Sequence, residues 1–195
     1  MTSSGAMNES EHHSASHRAN SRSALERGRA CYEQGAWHEA FNAFANAARA
    51  LDLGGEDLER LATSAYLVGR DDEYLAALER AYEAHLAAGG SLKAVRCAFW
   101  LGLRLLFRGE QGHASGWFSR AQRLLEREAD ECVERGYLLL PVVQQQVFAG
   151  DHATAYATAA RAIEIGERFG ENDLSAIARH LQGRALLQQG DVAQG

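Results

Sequence analysis

Proline and lysine are almost missing from this 195-residue chain: Pro141 and Lys93 are the single examples of each. Without proline the commonest helix breaker is gone, and 36 alanines with 46% hydrophobic residues favour helix over a sheet-rich fold. The three cysteines, Cys31, Cys97 and Cys132, lie far apart and form no C-x-x-C pair, which argues against a disulfide scaffold and a zinc knuckle. No apolar run approaches the roughly 18 residues of a membrane span, and the polar, His/Ser-rich start does not read as a secretory signal. A soluble, cytoplasmic protein without a membrane partner is expected. Basic blocks are absent too, and 20 basic against 26 acidic side chains give a net charge of -6, so no direct contact with nucleic acid is expected.

The ends differ from the middle. Residues 1–20 carry almost no apolar side chain to offset the entropy of ordering, and read as a disordered arm or cloning remnant. His12, His13 and His17 there read as a histidine-bearing tail rather than a metal site. At the other end, a helical pattern, a turn at Gly190-Asp191 and the first residues of a further helix suggest the N-terminal piece of a longer protein.

What is present is a repeat. Glycines stand at Gly35, Gly69, Gly109, Gly150 and Gly190, separated by 34, 40, 41 and 40 residues. Nine residues after the first four come Phe44, Leu78, Phe118 and Ala159, and three residues later Ala47, Ala81, Ala121 and Ala162. This spacing predicts a first helix (A) ending at the glycine in a left-handed turn, then a second helix (B) whose small residues permit close approach. One such pair cannot bury both apolar faces, whereas stacked pairs can. The expected fold is all-α, a right-handed solenoid of antiparallel helix pairs, with units at 21–54, 55–94, 95–135 and 136–175 and a partial fifth at 176–195.

The pattern resembles the tetratricopeptide repeat (TPR), G-x2-Y-x3-G-x-Y-x2-A-x3-F-x2-A. The first unit matches at Gly28, Gly35, Ala40, Phe44 and Ala47, with Cys31 and Trp37 in the aromatic slots. The third matches through Gly102, Gly109, Ala114, Phe118 and Ala121. The second departs at Ala62, Asp71 and Tyr74, the fourth at Val143 and Ala159. A narrower similarity, carried by FWLGLRLLFRGE, ASGWFSRAQRLLE, ERGYLLLP and HLQGRALLQQGD, is to the repeat region of actinobacterial LuxR-type transcriptional regulators. In that family the superhelix precedes a C-terminal DNA-binding helix-turn-helix, and some relatives carry a nucleotide-using module. Neither a helix-turn-helix nor a Walker-type phosphate loop occurs in this sequence.

The TPR resemblance implies a groove lined by A helices. The candidate lining is Tyr66, Arg96, Phe99, Leu103, Phe107, Tyr137, Leu140, Gln144, Phe148, His180 and Arg184. Its apolar middle, Phe99, Leu103, Phe107, Leu140 and Phe148, implies either a bound protein, peptide or apolar small molecule, or concealment by packing or a homodimer through the C-terminal end. Pro141 is expected to kink its helix or mark its start. Asp71, Asp72 and Glu73 read as a first-turn acidic cluster. His38, His113 and His152 sit near equivalent turns, too far apart at roughly 10 Å between neighbouring helices to share an ion without convergence. Cys31 and Cys97 read as small buried hydrophobes.

These readings imply a non-catalytic binding scaffold without a cofactor, the sensory or interaction region of a bacterial transcriptional regulator. The alternative is an accessory domain of a larger nucleotide-using enzyme, or a small-molecule-binding resistance protein.

Overall fold

The computed structural model describes residues 4–190, with side chains from Ala19 onward. Among the described residues every regular element is an α-helix: α1 (Ser4–Glu33), α2 (Trp37–Ala47), α3 (Gly55–Leu67), α4 (Asp71–Ala87), α5 (Ser91–Phe107), α6 (Gln111–Leu125), α7 (Val133–Phe148), α8 (His152–Phe169) and α9 (Asn172–Gln189). None is long and apolar enough to cross a membrane. The chain divides between Gly89 and Gly90 into two compact units. In the first, α1 packs on α2, α2 on α3, and α3 on α4; in the second, α5 packs on α6, α7 on α8 and α8 on α9, with α7 also against α5 and α9.

Helix α1 starts at Ser4, within the segment 1–20 that the sequence reads as an arm; Met1 to Ser3 lie outside the described residues, as do the side chains of His12, His13 and His17 and residues 191–195 of the expected partial fifth unit. No proline interrupts that segment, and once the later part of α1 is packed, each added residue gains a hydrogen bond without repeating the cost of nucleation. Of the two expectations for Pro141, a kink or a helix start, the start is corrected: Pro141 lies well inside α7, which starts eight residues earlier at Val133.

The turn glycines carry the architecture. Gly35, Gly69, Gly109, Gly150 and Gly190 all have left-handed backbone, with φ between 70 and 90°. At Gly109 the amide donates to the Leu106 carbonyl at 3.0 Å, and the Glu110 amide reaches back to Leu105 at 2.9 Å. The same pair of bonds recurs at Gly35, Gly69 and Gly150, so carbonyls left over at the end of each A helix are satisfied identically. Gly89 and Gly170, which close α4 and α8, are left-handed as well. Helix starts lack equivalent help: of the caps described, Asp151 alone accepts a side-chain bond, from the Thr154 amide at 3.2 Å.

Packing within pairs is set by an exchange of volume. A β-carbon on Gly28 would stand 3.0 Å from the Phe44 ring, and one on Gly102 would stand 2.6 Å from Phe118. At the same two register positions the second pair has Ala62 and Leu78, and the fourth has Val143 and Ala159. As the residue on the A helix grows from glycine to alanine to valine, its counterpart on the B helix shrinks from phenylalanine to leucine to alanine. The alanines three residues further on, Ala47, Ala81, Ala121 and Ala162, are all fully buried. Interiors packed to crystal density require such compensation.

Candidate functional site

In the second unit, α5, α7 and α9 lie side by side and bring several expected site residues together. Phe99 is fully buried on α5, with its ring centroid 5.0 Å from Trp100, 6.4 Å from Phe118 and 5.0 Å from Tyr137. Arg96, one turn earlier, lies over the Tyr137 ring at 5.4 Å and reaches Glu134 at 3.0 Å and Glu171 at 3.7 Å. The Tyr137 hydroxyl donates to Glu171 at 3.2 Å. Burial, reinforced by the neighbouring Glu171 charge, pushes the Tyr137 phenol well above its ordinary value, so it remains a donor. The nearly buried Glu134 carboxylate is offset by Arg96, as a desolvated charge must be.

Further along the same helices, Arg184 of α9 donates to the Gln144 side-chain oxygen at 3.2 Å. Leu103 is half-buried and His180 exposed. The expected apolar stripe is split. Phe99, Tyr137 and Leu140 belong to the core, whereas Phe107 is 67% and Phe148 78% exposed at the ends of α5 and α7, each two residues before a turn glycine. An accessible groove containing Phe99 and Leu140 is therefore corrected: those side chains are covered by neighbouring helices.

A groove does open in this unit, along a different line. It encloses about 780 Å³, and Leu106, Phe118, Leu138, Pro141, Val142 and Phe148 form its apolar lining. Only Gln144 and Phe148 of the expected residues contribute to it, together with glutamines, serines and Arg123. Sequence reasoning passed over the α6 wall because it assigned binding to A helices alone.

The first unit has its own polar links. Arg29 of α1 grips Asp57 of α3 through two bonds of 2.8 and 2.6 Å, and Arg60 adds a third at 3.0 Å. Arg29, then Arg60, holds the Asp57 carboxyl below the ordinary carboxylate range against the opposing effect of burial. The buried His85 of α4 contacts Glu59 of α3. Tyr66 is exposed at the end of α3, with its ring 5.3 Å from Tyr74. Neither Asp57 nor Glu134 was singled out from sequence, because each precedes its turn glycine by a different interval and breaks the repeat register.

Helix pairs closed by left-handed glycines, with complementary volumes across each pair, place the chain among helical-repeat proteins. Solved structures narrow the class to TPR-like repeats. Two crystal structures of nearly identical TPR-like repeats from a putative kinesin light chain of Podosopora anserina, one of them a single-substitution variant, resemble this chain. The variant aligns with a TM-score of 0.57 and 16% identity over 91% of this chain and 90% of its own. The other aligns at 0.55 and 16%, over 88% of each chain. MamA aligns at 0.46 and 15%, over 90% of this chain and 82% of its own. At that identity the kinesin light chain likeness establishes the fold. No protein-family model matches the sequence, and no curated protein matches it.

Proposed function

We propose that this chain is a non-catalytic protein-interaction scaffold built from TPR-like units at 21–54, 55–94, 95–135, 136–175 and, in part, 176–195. The carrying observation is the exposure of Phe107 and Phe148, both large and apolar, at the same position before successive turn glycines. A fold that buries its repeat alanines completely has no packing need for two exposed phenylalanines, and aromatic side chains anchor protein interfaces disproportionately. Within the second unit the binding face would combine them with the polar members of the A-helix set, Arg96, Gln144, His180 and Arg184. Its setting in the cytoplasm, as the interaction region of a LuxR-type bacterial regulator, rests on the similar sequence phrases around Gly102, Gly109 and Gly183.

The test is affinity capture with the full chain as bait, with the parent compared with a Phe107→Ser/Phe148→Ser variant and partners quantified by mass spectrometry. A polypeptide enriched by the parent and lost from a folded variant supports the scaffold. Capture that is the same with both baits refutes these two residues as anchors. A bait that retains only a nucleotide or an apolar small molecule favours the reading as an enzyme-associated or resistance domain.

A further inference from the structure

The groove between the α5–α6 pair and α7 has a composition that selects its occupant. Its floor is apolar, and its polar lining comes from Gln111, Gln122, Gln144 and Gln145 with Ser115 and Ser119. No carboxylate lines it, although the chain as a whole carries net charge -6. Arg123 is its one charged lining residue, and no ion pair of Arg123 is found among the described residues. Primary amides and hydroxyls both donate and accept, which suits a ligand with alternating N–H and C=O groups. An amphipathic helix, whose backbone bonds to itself, has no such need.

Size points the same way. The lining runs from Gln111 to Arg123 on α6 and from Leu138 to Phe148 on α7, roughly 15–18 Å at 1.5 Å per residue. An extended chain covers that distance in about five residues, at roughly 3.3–3.6 Å each.

We propose that this groove binds an extended peptide segment of about five or six residues, apolar at alternate positions and carrying an acidic side chain that pairs with Arg123. Alternate side chains of an extended segment point to one face, here against Phe118, Pro141, Val142 and Phe148, while the amide lining takes its backbone. The inference rests on the scaffold reading and deepens it by naming the partner chemistry.

The test uses the full chain and an array of capped, fluorescein-labelled six-residue peptides, apolar at alternate positions, in acidic, neutral and cationic versions, read by fluorescence anisotropy. Acidic members should bind best, about three- to fivefold more tightly than neutral ones, with cationic members weakest. Arg123→Gln should remove the advantage of the acidic versions while leaving neutral ones unchanged. Phe148→Ser should weaken both about tenfold or more with an unaltered helical circular dichroism spectrum. Equal binding of acidic and cationic versions, full retention of affinity by Phe148→Ser, or no binding across the array would overturn the proposal. So would a concentration-dependent dimer, dispersed by Phe148→Ser, that occupies the groove itself. Partners captured equally by the parent and by Arg123→Gln/Val142→Ser, but lost from Phe107→Ser/Phe148→Ser, would remove the groove and leave the scaffold reading standing; capture of no polypeptide at all would end both.

Discussion

The ring of Phe118 fills the space that a side chain on Gly102 would need: a β-carbon there would sit 2.6 Å from it. The glycine is thus required by its neighbour, since its backbone is ordinary right-handed helix within α5. The same contact joins Gly28 to Phe44 in the first unit.

Exchanging volumes should therefore be possible within the pair. Gly102→Val should destabilise by about 2–3 kcal/mol through overpacking, despite the better helix propensity of valine over glycine. Adding Phe118→Ala, which reproduces the Val143 and Ala159 combination of the fourth pair, should recover part of that loss. Urea midpoints of the parent, both single variants and the double variant provide the measurement; strictly additive losses would contradict the exchange.

Glycines of two kinds should respond in opposite directions. Gly109, at φ 79°, is in a conformation that β-branched residues rarely adopt, so Gly109→Val should cost more than about 1 kcal/mol. Gly112, inside α6, has nothing within 4 Å of the place a β-carbon would take, so Gly112→Ala should stabilise by about 0.5–1 kcal/mol. Thermal melting of both variants checks the contrast, with Glu110→Ala as a near-neutral reference.

Asp57 should make the first unit sensitive to acid. Its carboxyl is held below the ordinary value of 3.8, chiefly by Arg29. Its stabilising contribution is therefore complete above that value and is lost as pH falls through the lower folded one. Asp57→Asn should cost about 1–2 kcal/mol at neutral pH, a figure reduced because Arg29 is half exposed. Urea unfolding followed between pH 7 and pH 2 should show a shallower acid loss for the variant than for the parent; parallel curves would contradict the assignment.

The sequence legibly predicts the turns and the alanine positions, because a fixed period repeats the same constraint: Gly35, Gly69, Gly109, Gly150 and Gly190 are left-handed, and Ala47, Ala81, Ala121 and Ala162 fully buried. The site is less legible. Phe99 and Phe107 are eight residues apart, as are Leu140 and Phe148. Eight steps of 100° leave the second member of each pair about 80° from the first around the helix. A stripe continuous in sequence thus drifts off the buried face, and the first member enters the core while the second reaches solvent. The Arg29–Asp57 and Arg96–Glu134 pairs follow from how neighbouring helices meet, and the register of a single unit does not contain that information.

That drift is the central claim, and one experiment tests it directly: urea unfolding and the binding of an environment-sensitive apolar dye, measured on Phe99→Ser and on Phe107→Ser/Phe148→Ser beside the parent. Phe99→Ser should lose about 3–5 kcal/mol as a buried aromatic side chain. The double variant should keep the parent's unfolding free energy within about 1 kcal/mol and lose the dye signal that the parent shows. A double variant that unfolds as readily as Phe99→Ser, or that binds the dye as the parent does, would contradict the account.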